Sequence, residues 1–219
     1  MHKTNSKLQY PAPIIIELIR YSLLFISKLL WRIQYYGTEN IPQKLDCGLL
    51  VVPNHQTYFD PFWVSLPIKR KYRFMAWDKA FDWFLIGRII HYLGAFPVSL
   101  KRGGTRQAML EALKSLQDGA TLMIFPEGSR EFSDGKLLPF KTGAVRIAIE
   151  AGVPILPVTI RGANKVWSQD IRFPTFRKVE IFFHPIFELP PMDQNLDERV
   201  FAEHLTEQLK KIIESKLEK

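Results

Sequence analysis

His55 and Asp60 lie close together in the stretch Asn54-His55-Gln56-Thr57-Tyr58-Phe59-Asp60-Pro61. An imidazole beside a carboxylate forms a general base with a fixed tautomer and a stabilised protonated form. The chain contains no Gly-x-Ser-x-Gly, the usual setting of a serine nucleophile at a strand elbow. A His–Asp pair without its own nucleophile is suited to activating a hydroxyl that belongs to the substrate. There is no His-Glu-x-x-His either, so a metal-hydrolase reading is poor and no metal is expected. The bland reading stands beside this one: an Asp before Pro is often only a helix cap, and a turn histidine often only a satisfied polar group. A carboxylate has enough acceptor sites to cap and to orient at once.

The elements around the pair follow from local pattern. Gly48-Leu49-Leu50-Val51-Val52-Pro53 is a short apolar run and predicts a buried strand. Asp60-Pro61 predicts a helix start, with Asp60 as N-cap and Pro61 at the first helical position. His55 therefore falls in a strand-to-helix turn. A strand over 72–77 leads to a helix capped by Asp78, with Lys79 in its first turn. A cation is disfavoured there by the helix dipole, so an anion nearby and an ordinary surface lysine are both open. A strand over 95–98 precedes Lys101-Arg102-Gly103-Gly104, a plausible phosphate cradle before a helix over 105–117. A strand over 121–125 runs into Pro126-Glu127-Gly128-Ser129-Arg130. A helix over 142–151, strands over 153–160 and 179–183, and a helix over 196–217 follow.

This alternation predicts an α/β fold with a mixed, largely parallel central sheet flanked by helices. Ligands in such sheets gather at the carboxyl ends of strands, where the three turns would converge. Ahead of the sheet, the apolar stretch from Ile14 to Tyr35 is interrupted by Glu17, Arg20, Lys28 and Arg32. On a helix those four and Ser27 share one face, opposite Ile15, Leu18, Leu23, Leu29, Leu30 and Trp31. That describes an amphipathic appendage with cations toward lipid headgroups or, equally, a helix packed on the domain. Gly37 marks the boundary, giving a helical segment 1–36 and an α/β domain 37–219.

The 219 residues suffice for one sizeable core, and the net charge of +8 favours anionic partners. Dispersed cations without a recognisable binding motif argue against nucleic acid. The single cysteine, Cys47, excludes an internal disulfide and fits a reducing compartment.

In this order the motifs resemble the glycerolipid acyltransferases typified by lysophosphatidic acid acyltransferase. The resemblance runs from Gly37 to Phe183. It rests on Asn54-His55 with Asp60, on Phe125-Pro126-Glu127-Gly128-Ser129-Arg130, on Phe140-Lys141-Thr142-Gly143 and on Val153-Pro154-Ile155-Leu156-Pro157-Val158. The second family motif departs: after Gly94-Ala95-Phe96-Pro97-Val98 the cation arrives late and doubled, as Lys101 and Arg102.

The resemblance implies that His55 takes a proton from a glycerol hydroxyl attacking a fatty acyl thioester, while Asp60 holds the ring. It implies acceptor binding by Glu127, Gly128, Ser129 and Arg130. Arg130 and Lys79 would sit at the phosphate, and Lys101 or Arg102 would replace the usual arginine. Acyl-CoA or acyl-carrier protein would be the co-substrate, with no further cofactor. The partners would be lysophosphatidic acid and a phospholipid surface at the cytoplasmic face of the membrane. Another acceptor (glycerol 3-phosphate, a lysophospholipid or an acylated amino-acid lipid) and a non-catalytic lipid-binding module are the alternatives.

Overall fold

The computed structural model describes residues 12–82, 87–88, 95–98, 104–130, 134–167, 173–192 and 197–217. Its centre is a seven-stranded sheet ordered β1-β7-β6-β2-β5-β3-β4. The strands are β1 (Gln34–Tyr36), β2 (Leu49–Pro53), β3 (Tyr72–Trp77), β4 (Ala95–Val98), β5 (Thr121–Met123), β6 (Ile155–Arg161) and β7 (Glu180–Phe183). Every neighbouring pair is parallel except β6–β7. The expected mixed, largely parallel sheet is therefore the observed one.

Helices cover both faces, which is why β2 reads as unbroken apolar sequence rather than as an alternation. Leu49 and Val51 face one core with Trp31, Trp63, Met123 and Ile160. Leu50 and Val52 face the other with Leu116, Val145, Leu205 and Leu209. The first core is closed by α1 (Pro13–Trp31) and α2 (Asp60–Ser65). The second is closed by α3 (Gly104–Gln117), α4 (Gly143–Ala151) and α5 (Glu198–Glu214). Helix ends follow local chemistry: Asp197 caps α5 by accepting from the N–H groups of Arg199 and Val200, and Gly152 closes α4 at φ 63°.

One expectation is corrected and two are narrowed. The N-terminal helix does not run to Tyr35: it stops at Trp31, Arg32 turns left-handed at φ 48°, and Gln34–Tyr36 pair with β7. The sheet thus takes in a strand on the N-terminal side of Gly37. Of the two readings left open for the polar face of α1, part of that face packs on the domain. Arg20 donates to the carbonyl of Ile68 and pairs with Glu17, and the buried hydroxyl of Ser27 accepts from Trp63 Nε1. What α1 leaves exposed is an apolar stripe of Ile14, Leu18, Tyr21, Phe25 and Leu29. Asp78 opens a 3-10 turn over Asp78–Asp82, residues 87–88 are helical, and the rest of the helix expected there lies outside the described residues.

Candidate active site

With β2, β3, β4, β5 and β6 parallel, their carboxyl ends share one edge of the sheet. The turn after β2 is pinned on both sides of His55. The buried amide of Asn54 donates to the carbonyl of Ile160 (3.0 Å) and accepts from its N–H (2.7 Å), extending the β2–β6 ladder by a side chain. Gln56, also buried, donates to the carbonyl of Gly135 (3.1 Å) and accepts from the N–H groups of Ala163 (3.1 Å) and Asn164 (3.3 Å). Between these two pins the imidazole of His55 remains partly accessible, its side chain 14% exposed.

Asp60 is fully buried. Its Oδ2 accepts from His55 Nδ1 at 2.9 Å, from Gln56 N at 2.6 Å and from Thr57 N at 2.8 Å. A carboxylate is acceptor-only, so Nδ1 carries the ring hydrogen and Nε2 keeps its lone pair. Phe125 stacks on the imidazole with ring centroids 3.9 Å apart and planes 21° from parallel. Asp60 thus holds the edge of the ring and Phe125 its face. Asp60 is not the N-cap expected from sequence: Phe59 precedes the helix without a side-chain cap, and the carboxylate turns back to the amides before it.

The turn after β5 meets the first through Glu127. Its Oε1 accepts from the backbone N–H of His55 (2.7 Å) and its Oε2 from that of Leu138 (2.8 Å). Each oxygen of this buried carboxylate is engaged by protein backbone. Through these bonds Glu127 holds the backbone at His55 and ties the two turns together.

Gly128 takes φ 68°, a left-handed conformation that favours glycine. A Cβ there would lie 2.6 Å from Lys141 Nζ, so the lysine side chain lies over the glycine. Ser129 is exposed on the same turn. Arg130 brings its guanidinium 3.7 Å from the ring centroid of Tyr58, in the His55 turn, a cation–π contact that joins the two motifs.

Lys79 is exposed just beyond the carboxyl end of β3, on the same edge of the sheet. Lys101 and Arg102 lie outside the described residues. Sequence reasoning assigned no role to Asn54, Gln56, Tyr58 or Lys141. For Lys141 the signal was available in Phe140-Lys141-Thr142-Gly143, but nothing in its spacing ties that phrase to Gly128.

Residues 32–161 match the family model described as Acyltransferase, a stretch that includes the His55–Asp60 turn and the Glu127–Arg130 turn. The chain belongs to the acyltransferase family. A chloroplastic 1-acyl-sn-glycerol-3-phosphate acyltransferase of Brassica napus is 34% identical over 153 residues, 65% of this chain and 43% of that protein. A 1-acyl-sn-glycerol-3-phosphate acyltransferase of Borreliella burgdorferi is 27% identical over 154 residues, 70% of this chain and 60% of that one. The chain thus spans less than two thirds of the length of these curated relatives. Among solved structures, the 1-acyl-sn-glycerophosphate acyltransferase PlsC from Thermotoga maritima superposes with a TM-score of 0.66 at 26% identity. The similarity covers 93% of this chain and 84% of that one, so the family fold extends through almost the whole molecule.

Proposed function

We propose that this member of the acyltransferase family moves a fatty acyl group from an acyl thioester to the free hydroxyl of lysophosphatidic acid, giving phosphatidic acid. The observation that carries the reading is the 2.9 Å contact between His55 Nδ1 and the buried Asp60, which leaves Nε2 bare at the carboxyl edge of the sheet. In this mechanism Nε2 takes the hydroxyl proton as the hydroxyl oxygen attacks the thioester carbonyl. The C–S bond then breaks, and the imidazolium returns its proton to the departing thiolate. A thiol of ordinary pKa, about 8.5, leaves without a strong acid. General-base assistance supplies roughly 10²–10⁴-fold, and alignment of the two substrates supplies much of the rest.

Arg130 and Lys79 are the cations proposed for the acceptor phosphate, with Lys101 or Arg102 completing the set. Gly128 and Ser129 shape the turn that presents Arg130. The donor is acyl-CoA or acyl-carrier protein, and the reaction as written needs no other cofactor.

The acceptor is a membrane lipid, and the stripe from Ile14 to Leu29 supports a peripheral seat on the cytoplasmic face of the bilayer. Among the described residues no helix is long and apolar enough to cross a membrane. A panel of lysophosphatidic acid, glycerol 3-phosphate, lysophospholipids and acylated amino-acid lipids, each with acyl-CoA or acyl-carrier protein, tests the reading by thiol release. Turnover strongest with lysophosphatidic acid is the expected result. Preference for another acceptor would reassign the substrate, and no turnover with any would leave a lipid-binding module.

A further inference from the structure

We propose that the segment from Phe173 to Arg177 is a second contact with an anionic phospholipid bilayer, set beside α1 and fixing how the active-site edge faces the membrane. The inference rests on the membrane reading above and extends it to a part of the chain outside the 32–161 family match.

Phe173 is 71% exposed and Phe176 62% exposed, and Arg177 beside them is exposed as well. Two large, mostly exposed apolar rings next to a cation are the composition of an interfacial contact, with rings entering the acyl boundary and charge meeting headgroups. The segment is fastened to the carboxyl end of α1. Trp31 Nε1 donates to the carbonyl of Thr175 (3.0 Å), Val179 N–H donates to the carbonyl of Trp31 (3.2 Å), and the rings of Trp31 and Phe176 lie 6.4 Å apart. The stripe on α1 ends at Leu29, two residues before the buried Trp31 and on the other face of the helix, and Lys28 and Arg32 are exposed at the same end. The aromatic loop is therefore fastened at the carboxyl end of α1, the end at which the apolar stripe stops and Lys28 and Arg32 are exposed. A net charge of +8 suits an anionic surface.

The loop is tied to the active site by a second route. Thr175 donates through its N–H to the carbonyl of Val166 (2.7 Å) and through Oγ1 to that of Lys165 (2.6 Å). The neighbouring Trp167 packs on Tyr58 at 5.2 Å and on Phe59 at 5.5 Å, both within the His55 turn. A single helix lying in the interface leaves the protein free to roll about the helix axis. A second contact off that axis removes the freedom, and one anchored to the His55 turn brings the catalytic edge toward the lipid.

The test is partition of the full chain onto vesicles of phosphatidylcholine and phosphatidylglycerol, for wild type, Phe173→Ser, Arg177→Glu and, on α1, Phe25→Ser. Thermal melting confirms that each variant is folded. Both loop variants are expected to bind several-fold more weakly, Phe173→Ser by roughly tenfold and Arg177→Glu by roughly fivefold. Their turnover on dispersed, short-chain lysophosphatidic acid should stay at the wild-type level. If both bind as wild type while Phe25→Ser detaches, the second contact is wrong and the membrane reading stands. If wild type does not bind vesicles at all, both fall together. A lipid-free dimer dissociated by Phe173→Ser would instead make this surface a self-interface and overturn the proposal.

Discussion

Two histidines of this chain sit near opposite ends of the usefulness scale for acid–base chemistry, and their partners account for it. His55 gives Nδ1–H to a carboxylate, and a carboxylate stabilises the imidazolium as it forms. His184 gives Nε2–H to the hydroxyl of Thr159 (2.8 Å), whose own hydrogen goes to the carbonyl of Ile213 (2.6 Å). Nothing in that chain offers a compensating negative charge. Burial, reinforced by the charge of Lys216, lowers the His184 pKa from 6.5 to about 4. One ring is placed at the open carboxyl edge of the parallel sheet; the other links β6 and β7 to the end of α5. A buried histidine with hydrogen bonds is thus not enough to mark a base, and the identity of the acceptor decides.

The largest effect expected from breaking this contrast is on the carboxylate. Asp60→Asn replaces an acceptor-only group by one that can also donate, so Nδ1–H is no longer enforced. Thiol release with lysophosphatidic acid should fall by roughly 10²–10⁴-fold, with urea unfolding showing a smaller loss from weakened turn bonds. His184→Ala should do the reverse. Turnover per folded molecule stays within about twofold, while stability drops by about 1–3 kcal/mol through lost packing and hydrogen bonding, read from urea midpoints.

Acid sharpens the same comparison. Between pH 6.5 and about 4 the unfolded chain protonates His184 and the folded chain does not. Stability is therefore complete above the unfolded value and is lost as pH falls toward about 4, then levels off. The wild-type curve should lose on the order of 3 kcal/mol more than that of His184→Ala across this window.

The smallest effect is at the turn after β5, proposed above to meet the acceptor. Gly128→Ala meets both the left-handed φ of 68° and the amine of Lys141, the mobile end of a flexible side chain. The expected cost is about 1 kcal/mol in stability, with KM for the acceptor rising and KM for the thioester unchanged.

Much of this arrangement is legible in the sequence. The apolar runs at β2, β5 and β6 are central strands covered on both faces, so burial alone marks them. The His55–Asp60 pairing was legible because both partners lie in one short turn. What was not legible depends on distant backbone. β1 is a short edge strand whose aromatic residues continue the pattern of α1, and only β7 makes it a strand. The inward turn of Arg20 depends on a carbonyl at Ile68, 48 positions away. The cover of Gly128 by Lys141 needs the turn between them to close, and Glu127 does its work on His55 across 72 positions. The pins at Asn54 and Gln56 are ordinary polar letters until β6 and the Gly135 turn are brought against them.

The most direct measurement is thiol release from acyl-CoA by His55→Ala in the presence of lysophosphatidic acid, beside wild type and with melting curves to show that both are folded. A folded variant slowed by roughly 10²–10⁴-fold places the proton transfer on His55. A folded variant that turns over at the wild-type rate would contradict that assignment and leave the hydroxyl activated by some other group.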